Sequence, residues 1–485
     1  MTGPPASSFV IQPDDSAAFA RLSGDFNPLH VDNIAARRLQ FGGTVCHGVH
    51  LVLQALEVLA LSGELQGRSL QAVSAVFHQP VRTGVHVQIA VAKDTAAPRI
   101  KIAAMVEGRT QFSMQLLLGP EAPVPEVAEA EPEAASAALA PAFPSDTAAQ
   151  LALAGDVPLR LNASLFRRLL PALATWPEGR AVAVDLMAST RIVGMCCPGL
   201  HSIYSEFKLR RQAAPTPSAA MIYSIARIDP RFQKLRITLR GVLLEGELEA
   251  FFRAPPVAQR SLVEVAALTQ PGCVAGQRAL VLGGSRGLGE LVAKMLLAGG
   301  AEVTITYARG RADAESTVTQ AAARGAVCSA LQLDAAAPLQ AQTAAALTQA
   351  GFTHVYYFAT PAISRSASGV WSQALFERYS RVYVAGLAEV ARAAAGAAPL
   401  HIFYPSTVFL DSAEKGFAEY CAAKAAGEAL CDHLVLDAAR FAVHRPRLPR
   451  MKTDQNSSFL GPDADDPYPT MARLLHAFCG WHAAH

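Results

Sequence analysis

The stretch RALVLGGSRGLGELVAKMLLAGGAEVTITY, residues 278–307, is the feature that most restricts how this chain can fold. An apolar strand runs into a glycine-rich turn, then into a helical pattern, and then into a second apolar strand. Parallel strands need such a helical crossover, so the stretch predicts a doubly wound α/β sheet over residues 275–485. Gly283, Gly287 and Gly289 give the spacing G-x-x-x-G-x-G, and the following helix would direct its first N–H groups at a pyrophosphate.

The residues after the second strand indicate which dinucleotide would bind. An enzyme that prefers NAD typically offers Asp or Glu to the ribose diol there, whereas this chain offers Arg309 and Arg311. Arg286 lies inside the glycine turn as well. Guanidinium groups suit a 2′-phosphate, so the pattern favours NADP(H). The alternative, that these arginines are simply solvated, stays open.

A second cluster of reactive residues follows further along the chain. Ser406 lies at the end of the strand pattern HIFYPSTVFL. Tyr420 and Lys424 lie four residues apart in EYCAAKAAGEAL and therefore share one face of a helix. Together with the glycine turn, this set resembles the short-chain dehydrogenase/reductase family over residues 275–455, which implies a Rossmann-type domain.

The resemblance implies a role for each of these residues. Tyr420 would be the general acid, with its pKa lowered by Lys424 and by the nicotinamide charge. Ser406 would bind the carbonyl or hydroxyl oxygen of the substrate, and Lys424 would also hold the ribose. The implied cofactor-binding residues, besides Tyr420 and Lys424, are Gly283, Ser285, Arg286, Gly287, Leu288, Gly289, Arg309, Asp334 at the position that meets adenine, and Ala359.

The C-terminal block also departs from the family pattern. FATPA, residues 358–362, replaces the family's Asn-Ala-Gly turn, and Tyr383 takes the position of an Asn that supports a proton-relay water. The usual last strand is not evident after residue 460. We therefore expect an abbreviated, divergent reductase, and a catalytically inactive nucleotide-binding scaffold or sensor remains an alternative.

A different pattern covers the first part of the chain. Residues 47–63 carry apolar side chains at helical spacing, and residues 70–119 alternate between apolar and polar in several short runs. A long helix wrapped by antiparallel strands is a two-layer α+β unit.

The stretch SGDFNPLH near the start of the chain combines a carboxylate with an imidazole. Pro28 disfavours helix at the preceding residue, so Asp25 and His30 can both turn inward from a loop. With FGGTVCHG downstream, the stretch resembles the MaoC-like (R)-specific enoyl-thioester hydratases of the hotdog fold. The resemblance implies that Asp25 and His30 hold the reacting water and that the Gly48 N–H stabilises the oxyanion. Asp25 as a local backbone cap and His30 as a surface histidine form the structural alternative.

The sequence also predicts a duplication within the first part of the chain. SGDFNPLHVDNIAARRL aligns with AGDVPLRLNASLFRRLL, which matches Pro28 with Pro158 at an offset of 130 residues. The same offset matches Phe77 with Phe207. One offset across several elements indicates a repeated unit, and hence a double hotdog over residues 1–256.

In this alignment the second unit lacks the catalytic pair. Asp156 is retained, but Arg160 replaces His30, and arginine is no general base. The second unit is therefore expected to be degenerate and structural. The predicted organisation is a catalytic hotdog at 1–120, a Pro/Ala/Glu-rich linker at 121–145, the second hotdog at 146–256 and the NADP-binding reductase domain at 275–485.

Composition and charge argue against several classes of partner. The formal net charge is +2 and no Lys/Arg-rich run occurs, so neither nucleic acid nor a membrane surface is expected to bind. Eight cysteines without framework spacing and an N-terminus without a signal sequence predict a cytoplasmic protein with reduced thiols. Cys46, His47 and His50 could suggest a metal, but no second ligand pair follows, so no metal is expected.

The two resemblances imply consecutive reactions on one acyl group. Reduction of a 3-oxoacyl thioester with NADPH gives the (R)-3-hydroxyacyl thioester, and loss of water gives the trans-2-enoyl thioester. We therefore expect a bifunctional ketoreductase–dehydratase of fatty-acid or polyketide-type biosynthesis, at least homodimeric, acting on CoA or acyl carrier protein thioesters. Basic residues at 444–452 are a candidate contact for an acidic carrier, with ordinary solvation as the alternative. An oxidative, β-oxidation-type hydratase and 3-hydroxyacyl dehydrogenase is the competing hypothesis.

Overall fold

The chain divides into two units, Met1–Pro255 and Pro256–His485. The computed structural model describes residues 7–37, 41, 43–93, 98–131, 147–214, 218–252, 258–361, 363, 371–451, 453 and 466–481. None of the described helices combines the length and the apolar character that a membrane crossing requires.

The first unit is built on one antiparallel sheet of ten strands. The strands of the first unit are β1 (Ser7–Val10), β2 (Arg68–Phe77), β3 (His86–Lys93), β4 (Arg99–Val106), β5 (Arg109–Pro120), β6 (Ala128–Glu129), β7 (Ala154–Pro158), β8 (Arg160–Leu161), β9 (Ser202–Arg211), β10 (Ala220–Asp229), β11 (Lys234–Arg240) and β12 (Leu244–Phe252). The order across the sheet is β1-β3-β4-β5-β2-β9-β12-β11-β10-β7, with β6 and β8 paired separately. Each half of the sheet repeats the order of the other about the central β2–β9 pair, which is the double hotdog expected from the sequence.

Two long helices lie against this sheet. The helices of the first unit are α1 (Pro13–Ser23), α2 (Pro28–Val31), α3 (Asn33–Arg37), α4 (Gly48–Leu61), α5 (Thr147–Leu151), α6 (Ala163–Leu169) and α7 (Gly179–Arg191), with a 3₁₀ turn at Leu173–Thr175 and a π-helical turn at Ile192–Cys196. Most residues of α4 and nearly all of α7 are buried, as expected for the central helix of each hotdog. One hydrophobic core runs through both halves, so the two hotdogs share their interior.

The structure contradicts the residue alignment proposed for the duplication. Pro28 begins helix α2, whereas Pro158 ends strand β7, which lies at the sheet edge and pairs with β10. In the sheet order β7 corresponds to β1, not to the loop that contains Asp25. Asp156 is an exposed residue of this edge strand, so it is not the counterpart of Asp25. The short pattern Gly-Asp followed by Pro occurs here once in a loop and once in a strand. The pattern does not distinguish the two, because the surrounding residues decide which of them forms.

The match between Phe77 and Phe207 is also wrong, by four residues. Each central strand contains one bulge, at Gln71 in β2 and at Ser205 in β9. Aligning the bulges gives an offset of 134 rather than 130, because the π-helical turn and the loop after it lengthen the path from α7 to β9. The duplication therefore holds at the level of the fold but not at one fixed offset.

The expected linker at 121–145 begins as ordered structure. Ala128 and Glu129 form β6, which pairs in parallel with β8. Glu129 accepts a hydrogen bond from Ala163 N and pairs with Arg180. Residues 132–145 of the expected linker lie outside the described residues.

The second unit is a parallel α/β domain. Its strands are β13 (Arg278–Leu282), β14 (Glu302–Tyr307), β15 (Cys328–Gln332), β16 (His354–Tyr357), β17 (Leu400–Phe403), β18 (Ser406–Thr407), β19 (Phe441–His444) and β20 (Arg447–Leu448). Its helices are α8 (Leu262–Ala266), α9 (Gly287–Ala298), α10 (Arg311–Ala322), α11 (Ala341–Ala350), α12 (Gln373–Ser380), α13 (Leu387–Ala394), α14 (Ala418–Leu434) and α15 (Pro467–Cys479), with a π-helical turn at Arg381–Gly386 and a 3₁₀ turn at Val408–Leu410.

The main sheet has the order β15-β14-β13-β16-β17-β19, with every neighbouring pair parallel. The reversal of order between β13 and β16 is the Rossmann switch point, where ligands bind at the carboxyl ends of the strands. Among the described residues no strand follows β19 in this sheet, and residues 454–465 lie outside the described residues. Helix α15 packs beside α9 instead, and Trp481 Nε1 donates to Met295 O at 3.1 Å. Helix α8 also packs on α9, ahead of residue 275 where the domain was expected to begin.

Candidate active sites

The turn after α1 places Asp25 inside the first unit. Gly24 ends the helix in the left-handed conformation, at φ 74°, which an L side chain would resist. Asp25 is 1% exposed. Its Oδ1 accepts a hydrogen bond from Asn27 N at 3.2 Å, and its Oδ2 accepts one from the Thr190 hydroxyl at 2.7 Å. The carboxylate is therefore held in one orientation within the core, and its bond to Asn27 N shows that it also caps the local backbone.

Burial and nearby charge act on Asp25 in opposite directions. Burial raises the pKa of this carboxyl above its usual value, and the His30 charge followed by the Thr190 hydrogen bond opposes the rise. Removing a donor or a positive charge would therefore favour the protonated carboxyl.

The surroundings of His30 decide which ring nitrogen carries the hydrogen. Its Nδ1 lies 2.8 Å from Val45 O, and a carbonyl oxygen only accepts, so Nδ1 is the protonated nitrogen of the neutral ring. The lone pair is then on Nε2, the nitrogen available for proton transfer. Ligand atoms of Asp25, His30 and His47 lie within 4.8 Å of one another, so the structure brings the predicted pair together.

His47 completes this cluster as a neutral, positioning side chain. Its Nε2 donates to Asp25 O at 3.0 Å, and its buried Nδ1 has no hydrogen-bond partner among the described residues. Burial, followed by the His30 charge, lowers the pKa of His47 well below its usual value. The ring therefore stays uncharged and fixes the backbone of the Asp25 loop.

Three such groups could suggest a metal site, but the ring geometry argues against it. A metal ion binds along the lone pair in the plane of each imidazole. The rings of His30 and His47 are stacked, with centroids 3.9 Å apart and planes 26° apart. Two nearly parallel planes at this separation do not meet within bonding distance of both nitrogens. His50, which the sequence also raised as a ligand, stacks on Phe19 instead, and burial lowers its pKa to about 3.

Gly48 begins α4 directly after His47. A β-carbon at this position would lie 2.8 Å from the Phe77 ring, so only glycine lets the helix start against that ring. The first N–H groups of a helix have no partner within the helix and carry partial positive charge. The start of α4 therefore presents donors next to the Asp25–His30 pair, as the resemblance to the hydratases implies.

In the second unit, the glycine turn has the close packing that a nucleotide-binding loop requires. Gly283 has φ 71°, and a β-carbon there would lie 2.9 Å from Ala359 N. A β-carbon on Gly289 would lie 2.3 Å from Gly283 O. Gly287, the first residue of α9, has φ 61°. These contacts bring the predicted cofactor residues Gly283, Ala359 and Gly289 together at the switch point and leave the N-terminus of α9 for a pyrophosphate.

The remaining predicted cofactor contacts surround this turn. Ser285 is buried, Leu288 packs partly on the core, and Arg286 precedes the first turn of α9. Arg309 follows β14 and is exposed, whereas Arg311 forms a 2.7 Å ion pair with Glu315. Arg309 is therefore the better candidate for a 2′-phosphate.

Asp334, predicted to meet adenine, follows β15 and is exposed. Its Oδ1 accepts a hydrogen bond from Ala336 N at 2.9 Å. This bond fixes the turn after β15 at the carboxyl end of the sheet, where the adenine of a dinucleotide would lie.

Tyr420 and Lys424 lie on the buried face of α14, one turn apart, as predicted. Lys424 Nζ donates to Pro405 O at 2.7 Å, and burial lowers its pKa to about 7. Burial raises the pKa of Tyr420 to about 12, and a hydrogen bond from Thr407 opposes the rise. The lowering implied by the family resemblance depends also on the nicotinamide charge and stays a prediction. Tyr420 is a protonated phenol and therefore a proton donor.

Two adjacent hydroxyls compete for the role assigned to Ser406. The Thr407 hydroxyl bonds to the phenol of Tyr420, whereas the buried Ser406 hydroxyl has no hydrogen-bond partner among the described residues. Both are buried at the end of the short strand β18. The sequence pattern pointed to Ser406 alone, and only the tertiary structure shows that Thr407 is the hydroxyl bonded to Tyr420.

The tyrosine that replaces the expected relay Asn is fully buried beside Lys424. The Tyr383 hydroxyl shares a 2.6 Å hydrogen bond with Thr360 Oγ1. Its ring meets Tyr420 edge-on, with centroids 5.9 Å apart. Tyr383 therefore fills the space behind the Tyr420–Lys424 pair with aromatic surface.

The basic segment at 444–452 is largely neutralised within the second unit. Arg445 pairs with Asp432 at 2.7 Å, and Arg447 pairs with Glu428 at 2.7 Å. Arg450 pairs with Glu414 at 3.1 Å. These arginines are committed to internal ion pairs, which weakens the hypothesis that they receive an acidic carrier.

Known families match each unit separately. The family model for the MaoC like domain matches residues 4–110, and that for the short chain dehydrogenase matches residues 277–445. The probable dehydratase NIT22 of Ajellomyces capsulatus is 39% identical over 71 residues. That alignment covers 14% of this chain and 19% of the relative, so the chain spans about a fifth of the length of the curated protein it matches.

Solved structures of short-chain dehydrogenases also resemble part of the chain. One from Burkholderia cenocepacia in complex with NADP is 23% identical, with 43% of this chain and 92% of that chain covered and a TM-score of 0.39. The NADP complex of Pseudomonas aeruginosa RhlG is 26% identical, with 38% and 77% covered and a TM-score of 0.33. A dehydrogenase/reductase from Sinorhizobium meliloti is 21% identical, with 45% and 92% covered and a TM-score of 0.37. By its sheet orders and its family matches, this chain carries a MaoC-like dehydratase domain at residues 4–110 and a short-chain dehydrogenase domain at residues 277–445.

Proposed function

We propose that this protein reduces 3-oxoacyl thioesters with NADPH and dehydrates the resulting (R)-3-hydroxyacyl thioesters to trans-2-enoyl thioesters. The observation that carries the proposal is the buried Asp25 carboxylate beside an imidazole, His30, whose Nε2 holds the lone pair. The second unit adds a Tyr420–Lys424 pair and a glycine turn of nucleotide-binding shape.

Asp25 and His30 divide the work of adding or removing water. In hydration, Nε2 of His30 takes a proton from the water as its oxygen attacks C3, and the imidazolium then gives that proton to C2. The Asp25 carboxylate accepts a hydrogen bond from the second O–H of the water, whose hydrogen stays on the oxygen as the hydroxyl of the product, and it stabilises the imidazolium. Dehydration runs the same transfers backwards, so Asp25 must be ionised in both directions.

The start of α4 serves the thioester carbonyl. Negative charge develops on the carbonyl oxygen as C2 becomes enolate-like, and preorganised N–H donors stabilise it most where water is excluded. The Gly48 N–H, at the positive end of the buried helix α4, is the donor we assign to this oxygen.

Two features of the second unit suit NADPH: the shape of its glycine turn and the positive charge that follows β14. The packing of Gly283 and Gly289 leaves no room for a β-carbon on either, which brings backbone N–H groups close to a pyrophosphate. Arg309 is an exposed cation after β14 and, unlike the exposed Arg311, is not paired with Glu315; Asp or Glu at this place would favour NAD. When bound, NADPH supplies the hydride for carbonyl reduction.

The residues of α14 and β18 provide the proton and orient the carbonyl. Tyr420, protonated over the whole physiological range, donates to the carbonyl oxygen as it gains electrons. Thr407, bonded to that phenol, is placed to hold the same oxygen. Lys424 contributes an ammonium one turn away and is the residue we assign to the ribose hydroxyls.

The reductive direction joins the two activities on one acyl group. The alcohol made by the second unit is the substrate of the first, and a phosphopantetheine thioester of CoA or of an acyl carrier protein would present it to both. We assign the pair to a biosynthetic, fatty-acid or polyketide-type sequence because the nucleotide site favours NADPH over NADH.

The test uses the full-length protein with 3-oxoacyl thioesters of several chain lengths on CoA and on a carrier protein. We expect NADPH oxidation at 340 nm, with 3-hydroxyacyl and then enoyl products by mass spectrometry. Tyr420→Phe should stop NADPH oxidation and leave hydration of added enoyl thioester intact. Asp25→Ala or His30→Ala should do the reverse, with 3-hydroxyacyl product accumulating. Hydration without any NADPH consumption would instead identify the second unit as a scaffold.

A further inference from the structure

The second hotdog, which has no acid–base pair of its own in the described residues, touches the Asp25 loop directly. We propose that it forms half of the hydratase site, with Thr190 as a positioning residue that holds the Asp25 carboxylate and with the π-helical turn after it as the seat of the loop. This inference rests on the proposed hydratase function.

The two oxygens of Asp25 are held from the two hotdogs. The loop itself supplies Asn27 N to Oδ1, at 3.2 Å. Helix α7 supplies the Thr190 hydroxyl to Oδ2 at 2.7 Å, from 165 residues away. A hydroxyl–carboxylate bond of this length is charge-assisted, and both partners are buried, so it strongly restricts the rotation of the carboxylate.

The π-helical turn supplies the surface on which the loop lies. A β-carbon at Gly194 would lie 2.3 Å from Asp25 Oδ1, so the carboxylate fits only because this residue is glycine. Gly194 O accepts a hydrogen bond from Asn27 Nδ2 at 3.3 Å, and Leu200 O accepts one at 3.2 Å. In a π-helical turn the backbone N–H groups bond to different carbonyls than in an α-helix. Such turns are often found at functional sites.

Within the part of the first unit that the structure describes, the arrangement has no mirror image in the other half. Aligning the ends of α4 and α7 places Ala60 opposite Thr190, and alanine has no hydroxyl to offer. The exposed Asp156 on β7 has no place in a buried site. The double hotdog therefore has one asymmetric site, with the acid–base pair from the first half and its support from the second.

Several charged or titratable groups face Asp25 besides Thr190. Arg191, and His30 when its ring is protonated, act on it as positive charges. Cys196 lies close enough for Asp25 to help raise the pKa of its thiol, after the effect of burial. His47 contacts the loop through Asp25 O and stays neutral. Only Thr190 donates to the carboxylate from the second hotdog without bringing a charge, so its removal tests positioning alone.

The experiment compares Thr190→Val, Thr190→Ser and the neighbouring control Ser189→Ala in the full-length protein. Ser189 also donates a buried hydroxyl from α7, but to Leu186 O. Hydration of an enoyl-CoA is measured across pH. Valine should lower kcat/KM on the order of 10- to 100-fold and move the acidic limb of the profile to higher pH, because an unsupported carboxylate protonates more easily. Thr190→Ser should restore both the rate of hydration and the position of the acidic limb. Ser189→Ala should not move the acidic limb.

A second measurement separates this inference from the proposed function. Carbon-13 labelled Asp carboxyls are titrated by NMR without substrate, with Asp25→Asn identifying the signal. We expect Thr190→Val to raise the pKa of Asp25, and Thr190→Ala replaces valine if valine disturbs packing. An unchanged Asp25 titration and pH profile in these variants would overturn the inference. A wild-type protein that hydrates no enoyl thioester would overturn the proposed function, while the titration would still decide the role of Thr190.

Discussion

The ammonium of Lys424 lies 4.0 Å from the centre of the Tyr383 ring and 4.8 Å from that of the Tyr404 ring. Both distances are within the range of a cation–π contact, and Pro405 O accepts one ammonium hydrogen. The two rings thus stabilise a buried charge that burial alone would neutralise. Tyr383, which departs from the reductase family pattern, therefore helps to stabilise the Lys424 ammonium.

Tyr383→Leu should weaken the reductase in a pH-dependent manner. Loss of the ring removes a contact that favours the charged amine, so the pKa of Lys424, already about 7, falls further. Activity that needs the ammonium falls as pH rises through that pKa, so the basic limb of NADPH oxidation should move to lower pH. Tyr383→Phe keeps the ring and should keep the limb. Identical profiles for Leu and Phe would remove the ring from this role.

Thr407→Val should lower kcat for carbonyl reduction more than Ser406→Ala does, on the order of 100-fold for loss of an orienting donor. The reason is that Thr407, not Ser406, bonds to the Tyr420 phenol. Steady-state rates with a 3-oxoacyl thioester check this, and Thr407→Ser should recover most of the activity. A larger loss in Ser406→Ala would return the role to Ser406.

Arg309→Ala should raise KM for NADPH, on the order of 10-fold or more, and leave KM for NADH almost unchanged. The expected cause is the loss of a guanidinium facing the 2′-phosphate, which NADH lacks. Arg311→Ala is the matched control. Arg311 lies two residues further from β14 than Arg309 and is paired with Glu315. If the two variants changed the KM for NADPH and for NADH equally, neither arginine would bind the 2′-phosphate.

Asp185 should make the stability of the first unit depend on pH. Its carboxylate accepts hydrogen bonds from the backbone N–H groups of Val242, Leu243 and Leu244, and burial raises its pKa to about 6 from 3.8. A raised pKa means that the contribution to stability is present below 3.8 and is lost as pH rises through about 6.

The Tm of the wild type should therefore increase relative to that of Asp185→Asn when the pH is lowered from 7 to 5. Thermal unfolding at several pH values checks this, with Asp156→Asn as a control at an exposed carboxylate of the same unit. A difference in Tm that does not change with pH would contradict the assignment.

The parts of both candidate sites that the structure brings together as the sequence predicts are local in sequence. Tyr420 and Lys424 are one helical turn apart, so any helix there puts them on one face. The glycine turn is fixed by its own spacing, and Gly24 and Pro28 shape the loop of Asp25 and His30. The alignment of the two hotdogs was wrong where similar sequences fold differently. The residues around Pro158 form an edge strand that pairs with β10, whereas the matched residues around Pro28 do not.

By itself, the sequence determined the two fold classes and the short reactive clusters, because hydrophobic period, glycine spacing and helical repeat act within a few turns of chain. Only the tertiary structure decided that Thr190 and Gly194 support Asp25, that Thr407 reaches Tyr420, and that Arg445, Arg447 and Arg450 are paired internally. Those contacts join residues brought together by sheet pairing and helix packing. No local pattern encodes them, since hydrogen bonds and ion pairs depend on distances that the whole fold sets.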